Sequence, residues 1–415
     1  MNTETSSNSI YTEIGLPEFD AVDKKQKDNG DILYILKPKM RPECCPECGS
    51  VSLYVHKNAK RNVQDLDMFE HRVGLMIDGK SYRCHDCGNL VRVEYPSLEG
   101  RLTKRLADAI RRDSLKYTFS ETAKRYHVSV TTVSNIFNEY TDRCMLSHHL
   151  VAPPVLGIDE VHLEDDYRGV FVCIDKSEGH VLEFTKKRTY PSVVSTLKEF
   201  EHPENLKIVT MDMWKPYKNA VNTVFPSVAV VVDHFHVIKN LLQNMDSVRA
   251  SIFKSIKTND RRTLKHNRYL MLHNNEDLTS KQGKALLEMF HDYPQLENLY
   301  LLKESFHDIY TNAKSSTEAQ EMFSEWCAAC KEYNITAYDS FIDTVNEWSK
   351  EIFAYFDYPD MERTNAQTES LNRKIRTIAR DGRGYKFDVL RKKIILSRYV
   401  FEPSEKFSFN DFLND

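Results

Sequence analysis

Val155-Leu-Gly-Ile-Asp159-Glu-Val-His-Leu163 is an apolar run with one aspartate, Asp159, near its middle. Its length and its branched apolar residues predict a buried β-strand. Nothing beside Asp159 in this run neutralises its charge, and an unpaired charge is costly to bury. We therefore expect the strand to carry Asp159 into a functional site.

A second run of this kind is Leu206-Lys-Ile-Val-Thr-Met-Asp212. Its β-branched residues predict a strand, and Pro216 stands where a following helix would begin. Asp212 is then expected at the C-terminal end of that strand. The later run Val228-Ala-Val-Val-Val-Val-Asp233 also ends in a carboxylate, so Asp233 is an alternative to Asp212, and His236 follows it three residues later.

The segment from Arg363 to Arg380 has the spacing of an amphipathic helix. Leu371, Ile375 and Ile378 form its apolar face, and Glu369 lies on the opposite side. An ordinary surface helix shows the same division, so this pattern alone does not establish a site. The polar residues predicted to share the Glu369 side are Asn365, Asn372, Arg373, Arg376 and Arg380.

Two strand-borne aspartates and one helix-borne glutamate together form a set of oxygen ligands that suits Mg²⁺. Two such ions, roughly 4 Å apart, can hold the attacking and leaving oxygens of a phosphodiester. Asp159, Asp212 and Glu369 therefore suggest metal-dependent chemistry on a nucleic acid.

Four cysteines form two Cys-x-x-Cys knuckles, each followed by a glycine: Cys45, Cys48, Cys84 and Cys87. Four thiolates in this spacing predict a tetrahedral structural zinc site, because no ligand position is left open for catalysis. Redox activity is the weaker alternative, and Cys44 could substitute for Cys45. The alternating residues Val73 to Ile77 predict a strand between the knuckles.

The segment from Ser120 to Phe137 is typical of a helix-turn-helix. His127 occupies the turn position where glycine is usual, so a left-handed backbone is predicted for it. A plain helical hairpin is the alternative. The second helix, predicted from Ser129 to Tyr140, would offer to base edges Thr131, Thr132, Ser134 and Asn135, and the predicted phosphate contacts are Arg111, Arg112, Lys124 and Arg125.

The carboxylates, the cysteine knuckles and the helix-turn-helix together resemble the RNase H-like DDE transposases of bacterial insertion sequences, and among them the ISL3 family. The resemblance covers nearly the whole chain. It implies an α/β fold: an RNase H-like mixed-sheet catalytic domain with a helical insertion, preceded by a zinc-binding module and a helix-turn-helix. It implies two Mg²⁺ or Mn²⁺ ions on Asp159, Asp212 and Glu369, with Asp233 and His236 as supporting residues.

The resemblance also implies that the protein binds the ends of its element, cuts and rejoins DNA there, and works as a homo-oligomer on paired ends. Asp212 is preferred to Asp233 because the RNase H-like strand order places the Asp212 strand beside the Asp159 strand. In addition, Asp233 and His236 resemble an Asp-x-x-His pair that follows the second aspartate in eukaryotic cut-and-paste families.

The chain has 415 residues and a formal net charge of only −4, so DNA binding would depend on local basic patches and not on the overall charge. Basic residues concentrate from Arg101 to Arg143 and from Arg363 to Arg398, and the basic helix after Leu390 is expected to hold DNA by its phosphates. Neither a signal peptide nor an apolar run of membrane length is evident. We expect a cytoplasmic bacterial protein, associated with the nucleoid and not with a membrane.

Composition and the Pro153-Pro154 pair suggest where the domains divide. The predicted parts are a mobile tail (1–40), the zinc-binding module (41–96), the helix-turn-helix domain (97–149), the first part of the catalytic core (150–239), the helical insertion (240–358), the glutamate helix with the basic C-terminal helix (359–400) and a tail (401–415). Two other functions stay open at this point: a DNA-binding regulator with an inactive nuclease domain, and a non-transposing RNase H-like nuclease.

Overall fold

The computed structural model describes residues 14–164, 166–175, 179–255, 264, 268–363 and 366–400. The chain divides into two compact units, residues 1–147 with 396–415, and residues 148–395. Each unit contains one sheet. The tail predicted for residues 401–415 lies outside the described residues.

The N-terminal unit is built on a seven-stranded sheet with the order β1-β2-β4-β3-β7-β6, in which β5 also pairs with β4. Its core contains Phe19, Tyr34 and Leu75, each at most 1% exposed. The strand predicted between the cysteine knuckles is confirmed as β4. The strands are β1 (Phe19–Gln26), β2 (Ile32–Pro38), β3 (Leu53–Gln64), β4 (Val73–Cys84), β5 (Leu90–Val91), β6 (Leu98–Glu99) and β7 (Leu102–Thr103).

The prediction of a mobile tail over residues 1–40 is wrong for its second half, because residues 19–38 form β1 and β2. These strands pair with each other in antiparallel fashion, and β2 lies parallel to β4. Ile14, Leu16 and Phe19 are buried in the core of the sheet. Residues 1–13 lie outside the described residues.

Three helices follow the sheet: α1 (Lys104–Lys116), α2 (Phe119–Arg125) and α3 (Val130–Leu146). They pack around Leu106, Ile110 and Val133. The Thr118 side chain and Glu121 form a capping box at the start of α2, and Ser129 caps α3 through its hydroxyl. His127, in the turn between α2 and α3, has φ 52°, so the left-handed conformation predicted there is confirmed.

The second unit contains a five-stranded sheet with the order β10-β9-β8-β11-β12. β10, β9 and β8 are antiparallel neighbours, and β8, β11 and β12 run parallel. This is the mixed sheet of the RNase H-like fold, and it confirms the predicted fold class. The strands are β8 (Val155–Leu163), β9 (Asp166–Cys173), β10 (His180–Thr185), β11 (Ile208–Met211) and β12 (Ala229–Val232).

Helices cover both faces of this sheet. Leu156 and Ile158 of β8 lie in the core under α4 (Tyr190–Lys198) and α5 (Lys215–Val224). Val155 and Val161 face the other layer, where α12 (Ala366–Gly382) and α13 (Phe387–Leu396) pack. Because side chains alternate along a strand, Asp159 falls on the α12 side.

Between the sheet and α12, the described residues form helices and no strand, as predicted for the insertion. The core of this layer is aromatic: Phe306 packs edge-on against Trp326 and Phe341. The helices are α6 (His234–Ser255), α7 (Ser280–Asp292), α8 (Gln295–Asn312), α9 (Ser316–Glu332), α10 (Asp339–Glu347) and α11 (Ser349–Phe353). Short 3-10 turns lie at Pro203–Asn205, Arg268–Leu272, Asn275–Asp277, Thr336–Tyr338, Ala354–Asp357 and Ser397–Val400.

The basic helix α13 does not present its charges to solvent, contrary to the expectation that it holds DNA. Lys393 is 2% exposed and lies against the Tyr385 ring. Lys392 pairs with Asp388 at 2.5 Å, and Arg391 forms a double ion pair with the buried Glu183 of β10. These three cations therefore contact groups within the protein.

Across the described residues, none of the helices has the length and apolar character that a bilayer crossing requires.

Candidate functional site

Three aspartates lie side by side on the second sheet because three parallel strands pair in register, with β11 and β12 ending where β8 carries Asp159. Ile158 of β8 pairs with Met211 of β11, and Met211 pairs with Val232 of β12. The next residue on each strand is an aspartate: Asp159, Asp212 and Asp233. Neighbouring strands lie about 4.8 Å apart, so their carboxylates occupy adjacent positions across the sheet.

Asp159 is held by two donors. The Asn372 side chain of α12 donates to its Oδ2 atom at 2.6 Å, and the Glu160 backbone N–H donates to its Oδ1 atom at 2.7 Å. Burial raises the pKa of Asp159 to about 7, and the negative charge of Asp212 adds to the effect. Two carboxylates side by side therefore leave negative charge uncompensated on this part of the sheet.

Asp212 is partly exposed, with 21% of its side chain accessible, and its Oδ1 atom lies 2.8 Å from Nε2 of His236. Burial opposes protonation of His236, but the charges of Asp212, Asp233 and Asp159 outweigh it and raise the His236 pKa. A protonated His236 would neutralise part of the charge on Asp212. His236 lies in the first turn of α6, which starts directly after β12.

Asp233 is in a different environment, because it is only 3% exposed. Its Oδ1 atom accepts a hydrogen bond from the Phe235 backbone N–H at 3.2 Å, and its carbonyl accepts one from the His236 N–H. Both contacts satisfy donors that the first turn of α6 leaves free. Asp233 therefore serves as the N-terminal cap of α6.

Glu369 lies on α12, as predicted, but its side chain is 65% exposed and lies 4.0 Å from the Arg373 guanidinium. Thr368, Asn372 and Ile375 form the buried side of α12, and Asn372 is the residue that reaches Asp159. Glu369 precedes Asn372 by three residues, so the two are neighbours on the helix surface. The structure thus gathers Asp159 and Asp212 but leaves the Glu369 carboxylate in solvent.

The prediction that Asn372 shares the exposed side with Glu369 is wrong. Asn372 is 2% exposed, and its amide contacts Asp159 and the Glu160 carbonyl. A buried amide must find hydrogen-bond partners inside the protein, and a carboxylate provides one. Of the other residues predicted on this side, Arg373, Arg376 and Arg380 are exposed, and Asn365 lies outside the described residues.

The donor set at Asp159 and Asp212 fits a divalent cation. Both residues offer carboxylate oxygens, and burial together with the charge of Asp212 raises the pKa of Asp159. The Oδ1 atom of Asp212 is shielded from solvent and lies 2.8 Å from Nε2 of His236. A metal ion held by these carboxylates would offset the negative charge that the fold brings together there.

The four knuckle cysteines converge on one point of the N-terminal unit. Their Sγ atoms all lie within 4.8 Å of one another, with Cys45 and Cys87 at 3.5 Å and Cys48 and Cys84 at 3.6 Å. Tetrahedral zinc with Zn–S bonds of 2.3 Å requires sulfurs about 3.8 Å apart. Cys44 is exposed and outside the cluster.

The two knuckles have the same backbone geometry. Gly49 and Gly88 both have φ 72°, and each donates to the carbonyl of the first cysteine of its knuckle. Glycine adopts this left-handed conformation without steric cost. Backbone N–H groups of Cys87 and Asp86 lower the pKa of Cys84 to about 6, whereas the neighbouring thiols and burial raise the pKa of Cys48 and of Cys87. The cluster is a structural zinc site.

Of the base-contact candidates on α3, Thr131 and Asn135 are exposed, and Thr132 and Ser134 are partly exposed. The Thr132 hydroxyl also lies 2.8 Å from the capping hydroxyl of Ser129. This arrangement leaves a polar surface along the first turns of the second helix of the motif.

Arg111 does not fit the predicted phosphate contact. Only 11% of its side chain is exposed, and it pairs with Glu99 and with Asp108 at 2.6 Å. These pairs compensate the charge within the N-terminal unit. The exposed cations among the candidates are Arg112, Lys124 and Arg125, of which Arg112 and Arg125 also contact Asp113.

Comparisons with known proteins agree with this geometry. A family model of the DDE type described as "Transposase" for ISL3 matches residues 156–394. A model for the zinc-finger of transposase IS204/IS1001/IS1096/IS1165 matches residues 41–87, and one for the helix-turn-helix domain of transposase family ISL3 matches residues 100–141. The chain belongs to the ISL3 transposase family.

A relative of this ISL3 transposase is the transposase for insertion sequence element IS1001 from Bordetella parapertussis. The two are 25% identical over 373 residues, which cover 87% of this chain and 90% of the relative. The predictions of family, fold class and DNA binding are thereby confirmed, and the chain is an enzyme that acts on DNA. Asn372 is a site residue that sequence reasoning misplaced, because on the helix it lies as close to the buried Ile375 as to Glu369.

Proposed function

We propose that Asp159, Asp212 and Glu369 are the catalytic carboxylates of this DDE transposase and hold two Mg²⁺ or Mn²⁺ ions. The observation that carries the proposal is the in-register placement of Asp159 and Asp212, with the Glu369 helix packed beside β8. Bound there, the ions would provide a nucleophile from water near neutral pH and stabilise charge on the departing 3′ oxygen.

The remaining residues of the site keep the carboxylates in place. Asn372 fixes one oxygen of Asp159 through its amide, and His236 lies against Asp212 and limits its motion. For Glu369 to join the pair, its exposed side chain has to leave its present conformation, in which its charged neighbour within the described residues is Arg373 at 4.0 Å. Asp233 supports the site by capping α6 and stays outside the ligand set.

The reaction proceeds in two steps on DNA. Water attacks the phosphodiester at the element end and frees a 3′-OH, which then attacks a phosphodiester of the target DNA in the same site. Each step exchanges one oxygen on phosphorus for another, so neither requires a covalent bond to the protein. No nucleophilic serine or tyrosine is assigned.

DNA contacts are assigned to both units. Thr131, Thr132, Ser134 and Asn135 of α3 contact base edges of the element end, because the second helix of such a motif enters the major groove. Phosphate contacts are assigned to Arg112, Lys124 and Arg125 in the N-terminal unit, and to Arg373, Arg376 and Arg380 on the solvent side of α12.

The protein acts as a homo-oligomer that pairs two element ends, and it works where bacterial chromosomal DNA lies. Its parts are the zinc module (41–96), the helix-turn-helix domain (97–149), the RNase H-like core (150–239 with 359–400) and the helical insertion (240–358). A dimer in solution or on DNA, measured by mass photometry with end-bearing duplex, is the expected state.

The test is strand cleavage and strand transfer with purified full-length protein and duplex DNA that carries the element ends. Asp159→Asn and Glu369→Gln should bind the ends as wild type does and lose Mg²⁺-dependent cleavage. Pre-cut ends distinguish a transposase from a nuclease, because wild type should join them to target DNA. Persistent cleavage in Asp159→Asn would overturn the metal assignment.

A further inference from the structure

Glu369 lies in the first turn of α12, which begins at Ala366. The end of a helix frays more easily than its middle, because the backbone N–H groups of the first turn have no partner within the helix. A metal ligand in such a position depends on neighbouring contacts that hold the turn in place. Gln367 and Thr368, which directly precede Glu369, make contacts of this kind with the sheet.

Gln367 pairs with the backbone just beyond β9 through both polar atoms of its amide. Its Oε1 atom accepts a hydrogen bond from the Asp175 N–H at 3.3 Å, and its Nε2 atom donates one to the Asp175 carbonyl. The side chain thus occupies both backbone groups of one residue, as the partner residue on a neighbouring antiparallel strand would. This pairing requires a donor and an acceptor in one planar group, which glutamine provides.

Two glycines leave room for the start of α12. A Cβ atom at Gly179 would overlap the amide oxygen of Gln367 and lie 3.2 Å from its Cβ atom. A Cβ atom at Gly157 of β8 would lie 3.0 Å from the Thr368 hydroxyl oxygen, which is closer than ordinary van der Waals contact. Glycine in a strand often marks a place where another segment of backbone approaches closely. The first turn of α12 therefore packs on the sheet at short range.

The helix and β8 also match in spacing. Thr368 lies over Gly157. Four residues later on α12, Asn372 donates to Asp159, which follows Gly157 by two residues on β8. Four helical residues advance about 6 Å and two strand residues about 6.6 Å, so the two contacts keep in step along both elements. Glu369 lies between them on the helix.

We propose that Gln367 is a positioning residue for Glu369: by pairing with the Asp175 backbone, it keeps the first turn of α12 ordered so that Glu369 can complete the metal site. This inference rests on the proposed function, because it takes Glu369 as a metal ligand. The Glu369 side chain is 65% exposed, so the order of the turn depends on its neighbours. Apparent metal affinity falls in proportion to the fraction of molecules in which the competent conformation is formed.

The first measurement requires no metal at the carboxylates. Hydrogen–deuterium exchange of the full-length protein, without Mg²⁺ or Mn²⁺, reports on the amides of residues 370–373, whose helical acceptors are the carbonyls of residues 366–369. In Gln367→Ala their protection factors should fall about tenfold, because both hydrogen bonds to Asp175 are lost. Gly179→Ala, which displaces Gln367 without removing it, should lower them too. Ser370→Ala, at an exposed position next to Glu369, is the matched control and should be protected as wild type is.

The second measurement is cleavage of end-bearing duplex at increasing Mg²⁺ concentration. Gln367→Ala should raise the half-saturating Mg²⁺ concentration about tenfold and recover most of the wild-type rate at saturation, whereas Ser370→Ala should match wild type. A residue that only stabilised the fold would change the amount of active protein and leave the half-saturating concentration unchanged.

The outcomes separate this inference from the proposed function. Wild-type protection of residues 370–373 in Gln367→Ala, or reduced protection with an unchanged half-saturating Mg²⁺ concentration, would overturn the positioning role and leave the carboxylate assignment intact. Failure of wild type to cut in Mg²⁺, or cleavage by Glu369→Gln at the wild-type rate, would overturn the proposed function and this inference with it.

Discussion

Asp159 and Asp212 are neighbours because β8 and β11 are parallel and in register, and their proximity determines the charge state of the site. The pKa of Asp159 rises to about 7 through burial and through the charge of Asp212. The folded state therefore binds a proton more tightly than the unfolded state does. Without metal, the contribution of Asp159 to the free energy of unfolding is most favourable below about pH 4, and it falls as the pH rises towards 7.

Replacement of Asp159 should show directly how much the charged carboxylate lowers the stability of the metal-free protein. In EDTA at pH 8, Asp159→Asn should raise the free energy of unfolding by about 2 kcal/mol, because it removes a charge that the fold disfavours. At pH 4 the difference should vanish. Thermal unfolding at both pH values measures it, and Mg²⁺ should raise the Tm of wild type but not of the variant.

Asn372 and its neighbour Arg373 should differ in how much their side chains contribute to stability, so Arg373 serves as the control. Asn372→Ala removes a buried amide that Asp159 and the Glu160 carbonyl contact, so we expect a loss of about 1–2 kcal/mol in stability and slower cleavage. Arg373→Ala changes an exposed side chain and should alter stability by less than about 0.5 kcal/mol. Equal stability of the two variants in urea unfolding would contradict the assignment.

The sequence predicted Asp159 within one strand and Asp212 at the end of its neighbour, because apolar runs that contain or end in a carboxylate are visible without tertiary information. Asn372 was misplaced for a geometric reason. On a helix it lies about 60° from both Glu369 and Ile375, so periodicity cannot assign it to either face. Only the packing of α12 on β8 decides that it is buried.

At the level of elements, the zinc knuckles were predictable because their ligands are local and their glycines are fixed by backbone geometry. β1 was missed because it reads Phe-Asp-Ala-Val-Asp-Lys-Lys-Gln, in which Phe19 is the one fully buried residue. Charged residues are common on edge strands, where they discourage pairing with other chains. Its place in the sheet depends on backbone pairing with β2 and not on an apolar pattern.

Cys48 and Cys44 form a matched pair for testing the zinc site, since both are exposed cysteines of the same segment. Cys48→Ser should lower zinc content from one ion per chain to nearly none and destabilise the N-terminal unit, because structural zinc contributes directly to folding. Cys44→Ser should keep the full zinc content. Metal analysis after gel filtration measures both, and zinc retained in Cys48→Ser would contradict the site.

Helix α13 and helix α2 should respond differently to loss of charge. Arg391→Ala leaves the buried Glu183 unpaired, so stability should fall by about 3 kcal/mol while the salt dependence of DNA binding stays unchanged. Lys124→Ala, on exposed α2, should leave stability nearly unchanged and reduce the slope of log Kd against log salt by about one. A reduced slope of log Kd against log salt in Arg391→Ala would instead indicate that α13 contacts DNA.

For the molecule as a whole, the order of the domains could be predicted because each has its own sequence pattern. The zinc module has its cysteine spacing, the helix-turn-helix has its turn residue, and the catalytic core has apolar strands that contain or end in aspartate. The long helical insertion followed from helix-length amphipathic segments without strand patterns. The approach of α12 to β8 could not be derived from spacing, because it joins residues more than two hundred positions apart, as Asn372 and Asp159 show.

The central claim is that Asp212, and not Asp233, completes the metal site with Asp159 and Glu369. Its most direct test is Mg²⁺-dependent cleavage of end-bearing DNA by wild type, Asp212→Asn and Asp233→Asn. Asparagine can still cap α6 at position 233, so this variant should fold and cut, whereas Asp212→Asn should bind DNA and not cut. Cleavage by Asp212→Asn, or its loss only in Asp233→Asn, would contradict the account.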